Sequence, residues 1–157
     1  MSSREVDAQL RTACARRDLT AVKLLLSQGS DVNFVGGGDW STLHYAALAG
    51  DAEVVKVLID AGAYLNARSQ APDGDKLTPL HCAAIGAYGL DTAIALINAG
   101  ADVTFTDAKG RTPFDMPNGR AVREYYESRL AAKAISEAVA SGPAVDGAIT
   151  CKRGLSL

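Results

Sequence analysis

A phrase of about 33 residues recurs in this chain, and a chain that repeats itself at that length folds as a stack of like units. The clearest copy is Thr78-Pro79-Leu80-His81-Cys82-Ala83-Ala84. Ser41-Thr42-Leu43-His44-Tyr45-Ala46-Ala47 is a weaker copy upstream, and Thr112-Pro113-Phe114-Asp115 a decayed one downstream. Ser41 and Thr78 lie 37 positions apart, Thr78 and Thr112 34. A second landmark keeps the same phase. Leu24-Leu25-Leu26 precedes Gly29, Val57-Leu58-Ile59 precedes Gly62, and Ala95-Leu96-Ile97 precedes Gly100. These glycines are 33 and 38 positions apart. An apolar triplet closing a helix, followed by a glycine free to turn left-handed, is a helix stop.

The two landmarks divide the chain into units at about 4–33, 34–66, 67–104 and 105–140, with a tail over 141–157 read as mobile or partly docked. The first unit lacks the Thr-Pro-Leu-His start. Its first helix, near Asp7 to Arg16, is crowded with charge, as the outer face of a terminal unit requires. In the second unit Gly36-Gly37-Gly38 reads as a turn, and Ser41 as the cap of a helix. A further helix there runs from near Asp51 to Asp60, with Val54, Val55, Leu58 and Ile59 facing inward. The third unit carries a loop over 67–77 four residues longer than its neighbours, turning at Pro72-Asp73-Gly74, and one extra residue near 86–90. In the fourth, Met116-Pro117-Asn118-Gly119 breaks the first helix. A long helix follows from about Arg120 to Ala140, with Val122, Tyr125, Tyr126, Leu130, Ala134 and Ala138 as its buried stripe.

The phrase at Thr78 resembles the T-P-L-H-x-A signature of the ankyrin repeat, and the chain is similar to that family over roughly residues 4 to 130. The resemblance implies an all-α fold: a solenoid of stacked helix-turn-helix units with β-turn fingers. It implies that His44 and His81 are structural, each tying neighbouring fingers by hydrogen bonds. It implies a non-catalytic protein that binds a protein partner on a concave face built from finger tips and first helices. Carried over position by position, that face holds Trp40, Tyr45 and Leu48 in the second unit, Asp75, Leu77, Cys82 and Ile85 in the third, and Lys109 and Arg111 in the fourth. Trp40, Leu77 and Arg111 share one position and would form an exposed row. The long finger 67–77 would extend it. Thr42 stands where the signature has proline, and Asp115 where it has histidine; both departures imply a softer array.

Other function classes are disfavoured by the residues themselves. A net charge of −2 is not that of a nucleic-acid binder. The 3 cysteines, Cys14, Cys82 and Cys151, have neither the parity nor the spacing of a disulfide scaffold or zinc site. Their reduced state suits a cytoplasmic or nuclear protein. The charged start, Met1 to Asp7, lacks the apolar core of a signal peptide. No apolar run reaches the roughly 20 residues a membrane span needs. Gly36-Gly37-Gly38 lacks the Lys-Ser/Thr of a phosphate loop. The expectation is therefore a chain with no cofactor, metal or catalytic residue, and no nucleic acid or membrane partner. It is expected to be a monomer, with a homodimer through the Trp40–Leu77 row as the rival. Leu155-Ser156-Leu157 has the pattern of a carboxy-terminal peptide ligand.

Overall fold

The computed structural model describes residues 3–36, 39–70 and 74–142. Its elements are α1 (Ser3–Ala15), α2 (Leu19–Ser27), α3 (Thr42–Ala49), α4 (Ala52–Asp60), α5 (Pro79–Ile85), α6 (Gly89–Ala99), a 3-10 turn (Pro113–Asp115) and α7 (Gly119–Ser141). Two compact units divide the chain, 1–126 and 127–157. The first holds six helices, the 3-10 turn and the start of α7. Among the described residues, the second is the remainder of α7. The expected tail beyond Gly142, with Cys151 and Leu155–Leu157, lies outside the described residues, as do Gly37, Gly38 and the loop at 71–73.

The helices begin and end where their caps dictate. Asp18 accepts a hydrogen bond from the backbone N–H of Ala21 at 3.0 Å, and Asp51 accepts from Glu53 and Val54 at 3.0 and 3.2 Å. Gly29, Gly62 and Gly100 close α2, α4 and α6 at φ of +87°, +90° and +102°. Those values are open to glycine and strained for a residue with a Cβ. The first helices α1, α3 and α5 pack side by side, and the second helices α2, α4 and α6 line up behind them. Leu10, Leu43 and Leu80 occupy one register position in successive units, and each is at most 1% exposed. Val54, Val55, Leu58 and Leu96 complete the interior at 0%.

Between units the stack is sewn by hydrogen bonds. His44 Nε2 donates to the Leu77 carbonyl at 2.9 Å, and His81 Nε2 to the Arg111 carbonyl at 3.0 Å. A carbonyl oxygen only accepts, so Nε2 carries the hydrogen in both rings. The other nitrogen then accepts, from the Ser41 hydroxyl at 2.7 Å and the Thr78 hydroxyl at 2.8 Å. Asn33 accepts from the Tyr64 N–H at 2.9 Å and donates to the Gly62 carbonyl at 3.1 Å; Asn66 accepts from the Asp102 N–H at 2.9 Å. Finger joins finger through the main chain. The Gln70 N–H meets the Asp39 carbonyl at 3.3 Å, and the Ala108 N–H meets the Asp75 carbonyl at 2.9 Å.

Three features differ from the sequence reading. The first unit is not only polar on its outside; it completes its own bonding. Asp7, 4% exposed, accepts from the Asp31 N–H at 2.8 Å, the donor that in later units is met by the preceding unit's asparagine. The break at 116–119 is also a joint, since Asn118 donates through Nδ2 to the Gly86 carbonyl at 2.8 Å and through its N–H to the Ala84 carbonyl at 2.9 Å. Finally, the stripe on α7 stops early. Val122 is fully buried and Tyr125 and Tyr126 are half-buried, but Leu130, Ala134 and Ala138 are exposed, Leu130 by 48%. From Leu130 onward α7 belongs to the second unit, where among the described residues there is no other element to cover its apolar side.

Candidate protein-binding face

The second and third units each present a finger followed by a first helix, and the fourth a finger followed by a 3-10 turn; the candidate residues sit on these elements. Their geometry follows from the caps. Ser41, Thr78 and Thr112 hold extended backbone at φ of −73°, −97° and −84° and start their helices at one register. The residues just before them, Trp40, Leu77 and Arg111, therefore stand at the finger-to-helix corner. Tyr45 and Leu48 are three apart on α3 and lie on one side of it. Ile85 ends α5 as Leu48 nears the end of α3.

These positions do not share one exposure. Trp40 and Tyr45 are half-buried; Leu48 and Ile85 are 38% and 37% exposed. Trp40 leans over its own helix, its ring 5.6 Å from that of Tyr45 and 5.8 Å from that of His44. Such tilted contacts hold aromatic rings in place and leave an edge free. Asp75, Lys109 and Arg111 are exposed at the fingers. Arg111 is anchored there, pairing with Asp107 at 2.7 Å. Burial alone would raise the Asp107 carboxyl, but the backbone N–H groups of Arg111 and Lys109 and the Arg111 guanidinium outweigh it, holding the group below the usual carboxylate range.

Two expected members do not belong to the exposed row. Leu77 is 6% exposed and lies in the core; its N–H donates to Ser69 Oγ and its carbonyl accepts from Ser69 N–H and His44, closing the third finger inward. Cys82 is 0% exposed, because α5 packs closely on α3 and a two-atom side chain does not reach beyond that contact. Burial pushes its thiol up to about 12, as it does that of Cys14, so both stay protonated and unreactive. The apolar surface is thus Trp40, Tyr45, Leu48 and Ile85, without the continuous Trp40–Leu77 row.

The sequence reading missed Arg11. Counting back one period of 33 from His44 reaches it, so Arg11 holds the histidine position of the first unit. Its guanidinium carbon is 5.5 Å from the centre of the Tyr45 ring. Both histidines are buried, and desolvation lowers their pKa below that of a free imidazole. Among the described residues, no three His, Cys, Asp or Glu side chains gather as a metal site would require, and no helix is long and apolar enough to cross a membrane.

Comparison with known proteins agrees with this architecture. The family model described as ankyrin repeats (3 copies) matches residues 10–114. Human rabankyrin-5 is 35% identical over 134 residues, which cover 79% of this chain and 11% of that protein. Rat cyclin-dependent kinase 4 inhibitor B is 35% identical over 119 residues, covering 75% of this chain and 87% of that protein. Rat diacylglycerol kinase iota is 34% identical over 108 residues, covering 68% of this chain and 10% of that protein. The chain spans about a tenth of rabankyrin-5 but most of the kinase inhibitor. Ankyrin repeats are generally protein–protein interaction modules. The repeat phase, the histidine ties and the matched segment lead to one assignment: the chain belongs to the ankyrin-repeat family.

Proposed function

We propose that this chain is a non-catalytic module that binds a protein partner through its concave face, the fingers and first helices of the second to fourth units. The observation that carries this reading is the partly exposed apolar surface of Trp40, Tyr45, Leu48 and Ile85. Clustered apolar groups left on a folded surface mark contact sites. Tryptophan and tyrosine are the residues that interface hot spots favour. Asp75, Lys109 and Arg111 supply the polar edge that surrounds such a core. Leu77 and Cys82 support the surface from beneath. One similar protein is named as an inhibitor of a kinase, itself a protein target.

The test compares the intact chain with a Trp40→Ala, Ile85→Ala double variant in affinity capture from a native lysate, after circular dichroism shows both folded. A protein kept by the first and lost by the second supports the face; equal retention moves binding elsewhere on the molecule. Light scattering covers the homodimer. Self-association that the same two substitutions abolish would make the surface a self-interface.

A further inference from the structure

The first unit breaks the pattern of the stack at one position, and the consequence reaches the candidate binding face. His44 and His81 each lie in the first helix of their unit and bond to the finger of the next. Arg11 stands at the same register in α1. An imidazole there offers one N–H to one carbonyl; a guanidinium is longer, planar and able to stack. Arg11 does reach an aromatic ring, its guanidinium carbon lying over Tyr45 at 5.5 Å from the ring centre, within cation–π range. Its Nη1 is sealed from solvent and has no hydrogen-bond partner among the described residues. That nitrogen lies where a Cβ on Gly36 would be, so it packs against the bare backbone of the second finger. The Phe34 ring edge closes the same space, 3.4 Å from that Cβ position. Tyr45 in turn meets Trp40 at 5.6 Å.

We propose that Arg11 is a positioning residue for the binding face: its guanidinium, seated on Gly36 and held over the Tyr45 ring, sets the angle at which Tyr45 and Trp40 are presented. A side chain of the first unit thus governs an aromatic pair belonging to the second. This rests on the reading of that pair as a contact surface. The placement itself is tested without any partner, so failure of one does not disturb the other.

The chain contains a single tryptophan, so its fluorescence reports on Trp40 alone. Arg11→Ala removes the guanidinium. Gly36→Ala keeps it but fills its seat, and Gly36 is not among the positive-φ residues, so alanine is tolerated by the backbone there. Both variants are expected to shift the Trp40 emission maximum to the red and to raise its acrylamide-quenching constant, while circular dichroism and cooperative melting show the fold intact. The double variant is expected to match Arg11→Ala, since without the guanidinium the added methyl displaces nothing. A purely structural part in the stack would lower the melting temperature and leave the emission of the folded protein unchanged. Wild-type emission and quenching in folded Arg11→Ala overturns the proposal. Should that variant fail to fold, Gly36→Ala decides: a shift supports the proposal, and wild-type fluorescence overturns it.

Discussion

One position in each unit does different work according to its occupant. Arg11, His44, His81 and Asp115 share a register. The two histidines bond sideways into the next unit. Asp115 keeps only the local half of that role, accepting from the Thr112 N–H at 2.9 Å and its hydroxyl at 2.7 Å. Because His44 and His81 are buried neutral, acid should weaken the stack. The unfolded imidazoles protonate near 6.5, while desolvation makes the folded ones protonate only at lower pH. Between those values the unfolded chain binds more protons, so stability falls as pH drops below about 6.5 and levels off once the folded rings are charged too. Urea midpoints are expected to hold steady above that pH and decline below it, with a smaller decline in His44→Gln. At neutral pH the same substitution should cost about 1–3 kcal/mol, for the bonding groups it leaves unmet. Thr42 offers the opposite case. It is 0% exposed, its hydroxyl has no partner among the described residues, and it stands where the next two units carry Pro79 and Pro113. Ser41 already holds the extended backbone a following proline requires. Thr42→Pro is expected to raise stability by about 0.4–1 kcal/mol in equilibrium denaturation. The histidines, caps and missing proline were legible as types at a fixed spacing. Arg11 was not, because it resembles no signature residue and only its register reveals it. Nor were Leu77 and Cys82. They share positions with Trp40 and Tyr45, and burial there turns on side-chain size and on how the finger closes.

At the level of elements, the extra residue of the third unit has a visible use. The loop between α5 and α6 carries Tyr88, whose ring lies 5.0 Å from the guanidinium carbon of Arg17, two units away. Gly50, the left-handed end of α3 at φ +79°, lies beneath it, and a Cβ there would come within 3.0 Å of the Tyr88 backbone. Arg17 itself, one period before Gly50, takes the same left-handed turn at φ 60°. Gly50→Ala should therefore meet two penalties, conformational and steric, of more than about 1 kcal/mol together, visible as a lower melting temperature. Tyr88→Ala should cost less, about 0.5–1 kcal/mol, since exposed cation–π pairs are weak. Counting residues located the insertion; what it reaches depends on a side chain crossing units, which no linear spacing reveals. The stripe on α7 fails for the converse reason. Residues at helical spacing were present, but spacing shows that a side could be covered and not that anything covers it.

For the molecule as a whole, stability in a stack resides in each unit and in its contacts with its neighbours. Asp7 shows how the first unit meets a demand that the others pass to the unit before them. At the other end, Val122 and the half-buried Tyr125 and Tyr126 close the core of the first compact unit, with Tyr125 also bonding Asn98 at 3.1 Å. Truncation after Gly119 removes all three and is expected to give aggregation or broad, non-cooperative melting. Truncation after Ser141 removes none of them and should leave the melting temperature nearly unchanged. A soluble, cooperative shorter chain would show that the core closes without α7.

Adjacent fingers are linked where Gln70 meets Asp39 and Ala108 meets Asp75. Each bond joins main-chain atoms, which every amino acid but proline supplies in full. The lettering at those fingertips is therefore largely independent of the binding that holds the pages together. Asp39 is the exception, since its φ of +54° suits little besides Asp, Asn or Gly. Substitutions at Gln70, Asp75 or Ala108 can rewrite what the surface recognises while the scaffold beneath keeps its shape, which makes these three positions the natural place to graft a new specificity.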